Sequence, residues 1–177
     1  MKKFVMLLAL LSFACAGPQR FNIYKDKPDP FNAGVEHYSS SPIKLKKTSL
    51  SSHSFSFMKL HYTRDNGKNL YYISVYYSGP DWLFIDKLIT LTDGKKSVFQ
   101  NQAKNTGNVD TFFSTVNVSE EGIFFVGKEW FADAEKAKSI LVRVRGKNGK
   151  IDKKLTPLEV SNIGFFFNHV SRELPAQ

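Results

Sequence analysis

The stretch SFSFMKLHYTRDNGKNLYYISVYYSG, residues 54–79, constrains the fold more than any other part of the chain. Two runs rich in Phe, Tyr, Ile and Val flank Asn66-Gly67. An Asn-Gly pair accepts the positive φ angles of a type I′ turn, whose twist matches that of two paired strands. A β-hairpin is therefore expected. Side chains alternate across a strand, so Tyr71, Ile73, Val75 and Tyr77 share one face and Leu70, Tyr72, Ser74 and Tyr76 the other. Before the turn the apolar alternation passes from Phe55 and Phe57 to Met58, Leu60 and Tyr62, a change of phase that predicts a bulge near Phe57.

The same grammar continues downstream. WLFIDKLITLTDGKKSVFQ predicts a second hairpin, with Leu83, Ile85, Ile89 and Leu91 alternating before an Asp93-Gly94 turn. DTFFSTVNV and GIFFVG read as further strands, and SILVRVRG-KNGK-IDKKL as a strand, a glycine turn and a return. Two short helices are expected late in the chain. Over residues 128–138, Trp130, Phe131, Ala134 and Ala137 recur at spacings of three and four. After Thr156, Pro157 suits the first helical position and Glu159 completes a capping box, with Leu158, Ile163, Phe166, Phe167 and Val170 as its apolar stripe. The expected class is mainly β: an antiparallel sandwich or curved sheet of six to eight strands with two short helices near the C-terminus.

Ahead of this domain lie two segments of different character. Residues 1–16 have the layout of an export signal: Lys2 and Lys3, then no charge from Phe4 to Ala16. That run is too short to cross a bilayer as a helix, which needs about 20 apolar residues. Residues 17–52 hold four of the seven prolines, Pro18, Pro28, Pro30 and Pro42, with serine-rich tracts, and read as a linker or irregular wrap. As a flexible coil such a linker would reach roughly 30 Å. RFNIYK is the stretch of it that would add a strand to the domain. A single β-rich domain is then expected over residues 53–177.

Composition narrows the chemistry. The chain carries a formal charge of +9, yet residues 136–154 alone hold eight basic side chains and one acid, Asp152. Arg143, Arg145, Lys147, Lys150, Lys153 and Lys154 form a basic hairpin there, a candidate surface for an anionic partner, although lysine on an edge strand also prevents edge-to-edge pairing. Tyr72 and Tyr76, with Tyr62 across the hairpin, would stack on a ligand if exposed, or pack in the core. The four histidines, His37, His53, His61 and His169, lack the spacing of metal ligands. There is no G-x-S-x-G elbow and no phosphate-cradling glycine loop, and Glu120 and Glu121 are neighbours that a strand sends to opposite faces. Neither a catalytic residue nor a cofactor or metal is expected, and nucleic acid is not an expected partner.

Two stretches carry a resemblance. LLSFAC, ending at Cys15, the only cysteine, resembles a bacterial lipobox, with Ser12 where that motif usually has leucine. ADAEKAKSILVRVRGKNGKIDKKLTPLEVSNIGFFFNHV resembles the helix, strand, turn, strand and capped helix that close some exported bacterial lipoproteins with a β-rich domain. The resemblance implies lipid attachment at Cys15 and anchorage in the bacterial cell envelope as an outer-membrane lipoprotein, and brings no established activity with it. The A-x-A pattern of Ala14 and Ala16 offers the alternative of cleavage after Ala16 and a soluble periplasmic or secreted protein. The function expected is then a non-catalytic, membrane-tethered binding module for an anionic partner. The alternative is an assembly protein that recognises a protein by strand addition or aromatic contacts. Intact-mass analysis of the mature chain separates the processing routes: an acylated N-terminal Cys15 is expected, and a free Gly17 would eliminate the anchor.

Overall fold

The computed structural model describes residues 20–27, 34–46, 54–103, 106–112 and 115–172. The chain is mainly β, with eleven strands among these residues in two antiparallel sheets. The larger sheet runs in the order β1 (Ile23–Lys25), β2 (Val35–Ser40), β4 (Phe55–Asp65), β5 (Lys68–Gly79), β9 (Thr115–Phe125), β8 (Thr106–Phe112), and β3 (Ile43–Lys46) also pairs with β4. The smaller is β11 (Gly149–Lys154), β10 (Ile140–Gly146), β6 (Ile85–Thr92), β7 (Lys95–Gln100). The strand count exceeds the expected six to eight chiefly because of β1 to β3.

Those three strands correct the linker expected over residues 17–52. β2 pairs with the C-terminal half of β4 and β3 with its N-terminal half, so the two lie end to end along one edge of the same strand. Pro42 occupies the break between them, where a missing N–H costs no ladder bond. Tyr38, Ile43 and Leu45 alternate into the core and hold the segment down. RFNIYK adds β1, whose Ile23 pairs with Ser40. Among its described residues, the segment read as linker from its prolines and serines thus contributes three strands to the larger sheet.

The central hairpin forms as expected, with Asn66 and Gly67 both at positive φ. Its register is unbroken from Phe55↔Ser78 to Asp65↔Lys68, so the bulge anticipated near Phe57 does not interrupt the β4–β5 ladder. Met58, Leu60 and Tyr62 face the core, whereas Phe55 and Phe57 belong to the outer face. An irregularity does occur in the second sheet, between Ile85↔Gly146 and Lys87↔Arg145. It turns Leu88 inward and leaves Ile89 and Leu91 on the outside, against the simple alternation read from the sequence.

Both helices, α1 (Gly127–Lys136) and α2 (Pro157–Arg172), pack between the sheets. Trp130 of α1 donates its indole N–H to Thr90 on the inner face of the smaller sheet, and the adjacent Phe131 packs against Tyr71 on the inner face of the larger. Phe131 also meets Phe166 and Phe167 of α2. Gly164 lets the helices close: a Cβ there would stand 3.3 Å from Glu135 Cγ. The capping box is formed in both directions, Thr156 N–H to Glu159 at 2.7 Å and Glu159 N–H to Thr156 Oγ1 at 3.2 Å. Leu158, expected in the buried stripe, is 64% exposed, and Val160 takes the core position.

One side chain fastens the sheets together. Glu120 of β9, only 8% exposed, accepts three consecutive backbone N–H groups, from Leu83 (2.5 Å), Phe84 (2.9 Å) and Ile85 (2.9 Å), where the chain enters β6. Three successive N–H groups converge only if the backbone curls, and Phe84 does so at φ 53°, a conformation that bulky residues rarely adopt. Hydrogen bonds to a charged acceptor contribute about 1.5–3 kcal/mol each. Glu120→Ala is expected to lower stability by roughly 3–5 kcal/mol in urea denaturation, since it strands buried donors. A loss under about 1 kcal/mol would show the clasp to be incidental.

Candidate functional site

Because β6, β7, β10 and β11 bury one face, their alternate residues form a continuous outer surface. Registration places these in three rows across the strands: Lys154, Leu141, Leu91, Lys96; then Asp152, Arg143, Ile89, Val98; then Lys150, Arg145, Lys87, Gln100. These three rows hold six cations and one carboxylate, Asp152; a second carboxylate, exposed Asp86, stands 3.8 Å from Lys87 Nζ beside them. Its centre is an aliphatic strip of Leu141, Leu91, Ile89 and Val98, with Leu141 and Val98 exposed. Two shallow depressions run over it, one of about 280 Å³ lined by Leu91, Leu141 and Arg143, one of about 480 Å³ lined by Arg145, Lys147 and Lys150.

The sequence-proposed cations divide on this surface. Arg143, Arg145, Lys150 and Lys154 share the outer face, and Lys147 stands at the β10–β11 turn beside them. Lys153 does not join them: it is in register with inward-facing Val142 and pairs with Glu159 at 3.1 Å, close to the start of α2. Arg143 grips Asp152 through Nε (2.5 Å) and Nη2 (2.8 Å), which holds that carboxyl below its usual range; Lys150 lies 3.5 Å away. Lys87, Lys96 and the aliphatic strip were not singled out from the sequence. Their signal was the alternation in KLITLT and KKSVFQ, concealed by the irregularity at Asp86.

The outer face of the larger sheet is aromatic and polar. Phe55, Phe57 and Tyr76 stack on one another, with Phe57 and Tyr76 5.1 Å apart. Farther along, His61 lies parallel to Tyr72 at 4.6 Å and to His37 at 5.3 Å. Tyr72 and Tyr76 are thus half-exposed on one face, whereas Tyr62 points the other way into the core, where burial pushes its hydroxyl up to about 12. A hydrogen-bonded chain runs from Asp26, just past β1, across β2, β4 and β5. Asp26 accepts from His37 Nδ1 (2.6 Å), His37 Nε2 meets the Tyr72 hydroxyl (2.9 Å) and His61 Nδ1 (3.2 Å), and His61 Nε2 meets Ser74 Oγ (2.9 Å).

Serine, histidine and carboxylate in line suggest acyl transfer, yet Ser74 is buried mid-strand and paired on both sides with β4 and β9. Its neighbouring N–H groups are committed to ladders, so no donor pair stands ready for an oxyanion. Among the described residues no three His, Cys, Asp or Glu side chains gather as metal ligands. His169 packs edge-on against Tyr38. Glu121 is exposed on the face opposite Glu120, as the strand geometry requires. Cys15 and His53 lie outside the described residues. No protein-family model, curated protein or solved structure matches this chain.

Burial, reinforced by neighbouring His37 and Lys59 and opposed by Asp26, depresses His61 to about 4 from 6.5. The unfolded chain therefore takes up this proton more readily than the folded one. Stability should be full above about pH 6.5 and fall as pH drops towards 4, by up to roughly 3 kcal/mol. Urea titrations across that window are expected to show the decline, and His61→Phe, which keeps the stack with Tyr72, should flatten it. An unchanged slope in the variant would move the effect elsewhere.

Proposed function

We propose that the protein is a non-catalytic envelope lipoprotein, tethered through Cys15, whose smaller sheet binds an anionic partner. The observation that carries this reading is the outer face of β6, β7, β10 and β11, where cations surround an aliphatic strip. Cations alone would be matched by any solvated surface. An apolar centre ringed by Lys87, Lys96, Arg145, Lys150 and Lys154 suits a partner that presents phosphate or carboxylate groups beside apolar ones, such as the head-group region of an anionic lipid or lipopolysaccharide. The Arg143–Asp152 pair is exposed to solvent, so a competing anion can reach its guanidinium.

A second reading, an assembly partner for another protein, is favoured by the ring cluster of Phe55, Phe57 and Tyr76 on the opposite side of the molecule. Ionic strength distinguishes the two, because exposed charges are screened beyond about 8 Å at physiological salt whereas aromatic contacts are not.

Each cation near an anionic bilayer contributes about 1 kcal/mol, so Arg145→Gln/Lys150→Gln/Lys154→Gln is expected to weaken binding of the non-acylated domain to phosphatidylglycerol vesicles by roughly 100-fold. Lys68→Gln, exposed at the β4–β5 turn of the other sheet, should leave the affinity unchanged. Equal losses in both variants, or binding indifferent to salt, would refute the basic face.

A further inference from the structure

The tether is far shorter than its composition suggests, and this determines which part of the molecule meets the membrane. Arg20, Phe21 and Asn22 already belong to the folded body: Asn22 exchanges hydrogen bonds with Ser41, and Phe21 packs against the core and edge-on to Phe165 at 6.3 Å. Only five peptide steps separate Arg20 from Cys15. Fully extended they span at most about 18 Å. A lipid on Cys15 therefore holds the corner around Arg20 near the head groups.

That corner has the surface such a position calls for. Leu158 and Phe165, two turns apart on one face of α2, are 64% and 57% exposed. They flank Phe21, and a groove of about 160 Å³ lined by Arg20, Pro42, Lys44 and Leu158 lies beside them. Along the exposed stripe of α2, Ser161, Asn168 and Arg172 join Leu158 and Phe165. The nearest carboxylates are already engaged, Glu159 by Lys153 and Thr156, Glu135 by Asn168. Apolar tips with Arg20 and Lys44 beside them, and with Glu159 paired to Lys153, match the interface of an anionic bilayer, where rings and aliphatic groups settle at the head-group boundary.

We propose that Phe21, Leu158 and Phe165 form a membrane-seating patch, pressed into the bilayer interface by the four-residue connection between Arg20 and acylated Cys15. This rests on the lipoprotein reading above and adds to it an orientation: the first turns of α2 face the bilayer.

The test uses the full mature chain purified from membranes and reconstituted in phosphatidylethanolamine and phosphatidylglycerol vesicles, with and without chain-brominated lipid. Bromine quenches tryptophan only at close range. Native Trp130 is buried in the core; Trp82, whose carbonyl accepts from Asn148 at the β10–β11 turn, is replaced by Phe in every chain compared, so the emission of this background should not change. In Phe165→Trp and, separately, Leu158→Trp the added emission should be lost in brominated vesicles. Both positions are solvent-facing, so the substitutions leave the core intact. A membrane-bound chain whose new tryptophans keep their full emission overturns the patch while leaving the anchor. A chain that remains in the aqueous fraction and begins at Gly17 removes the anchor, and the patch falls with it.

Discussion

The position of the smaller sheet depends on a single buried carboxylate. Glu120 gathers the N–H groups of Leu83, Phe84 and Ile85, and everything around β6 adjusts to that curl. The carbonyls of Leu83 and Phe84, pointing the other way, accept from Asn148 and Lys147 at the tip of the β10–β11 hairpin. Gly146 must be glycine for this latch to close, since a Cβ would stand 2.0 Å from the Leu83 oxygen. Asn101 adds a second clasp, donating to the Ile85 carbonyl and accepting from Ile123 of β9. The strain at Phe84 thus persists because several bonds over-determine it, and the basic hairpin is aimed by groups that lie beneath it.

Placing the helices between the sheets has a second consequence. In many mixed folds helices cover a sheet's outer surface; here α1 and α2 plug the space between the inner faces, which leaves both outer faces bare of helix. The two faces solve that exposure differently. The smaller sheet separates its aliphatic groups with lysine and arginine, whereas the larger stacks its rings on one another so that each hides part of its neighbour's apolar area. The Lys59 ammonium stands over the Phe57 ring, 6.0 Å from its centroid. An ionic face and an aromatic face therefore sit back to back on one core.

What the sequence made legible follows the range of the interaction. The Asn66-Gly67 and Asp93-Gly94 turns and the Thr156–Glu159 box are set by residues within a few positions, and each formed as read. The segment before residue 53 was misjudged because proline and serine content outweighed a weaker pattern, Ile43 and Leu45 at period two, that in fact buries β3. Lys153 was readable: Ile151 two residues earlier faces inward, which commits Lys153 to the same side. The clasp on Glu120 was not, because its partners lie 35 to 37 residues away and a glutamate in a strand carries no mark of the backbone it will hold. For the same reason the outward turn of Ile89 and Leu91, which creates the aliphatic strip, could be found only once Ile85 was tied down.

The strands that replaced the expected linker also change what anchorage would mean mechanically. A coil of thirty-five residues imposes almost no orientation, since its ends sample a broad range of distances and directions. With lipid on Cys15, a connection of four residues leading to Arg20, beside β1 and the start of α2, would fix the height of the domain and restrict its tilt. β3 and β11 approach one another near this corner, and Lys153 of β11 bonds Glu159 in the first turn of α2, so the edge of the basic sheet is attached to the same corner. With the anchor in place, Lys154 and Lys150 on β11 would meet an anionic surface at the effective concentration set by that short connection, and even weak individual contacts would then be occupied. The basic face and the seating patch thus become parts of one geometry, both set by where the chain enters the larger sheet.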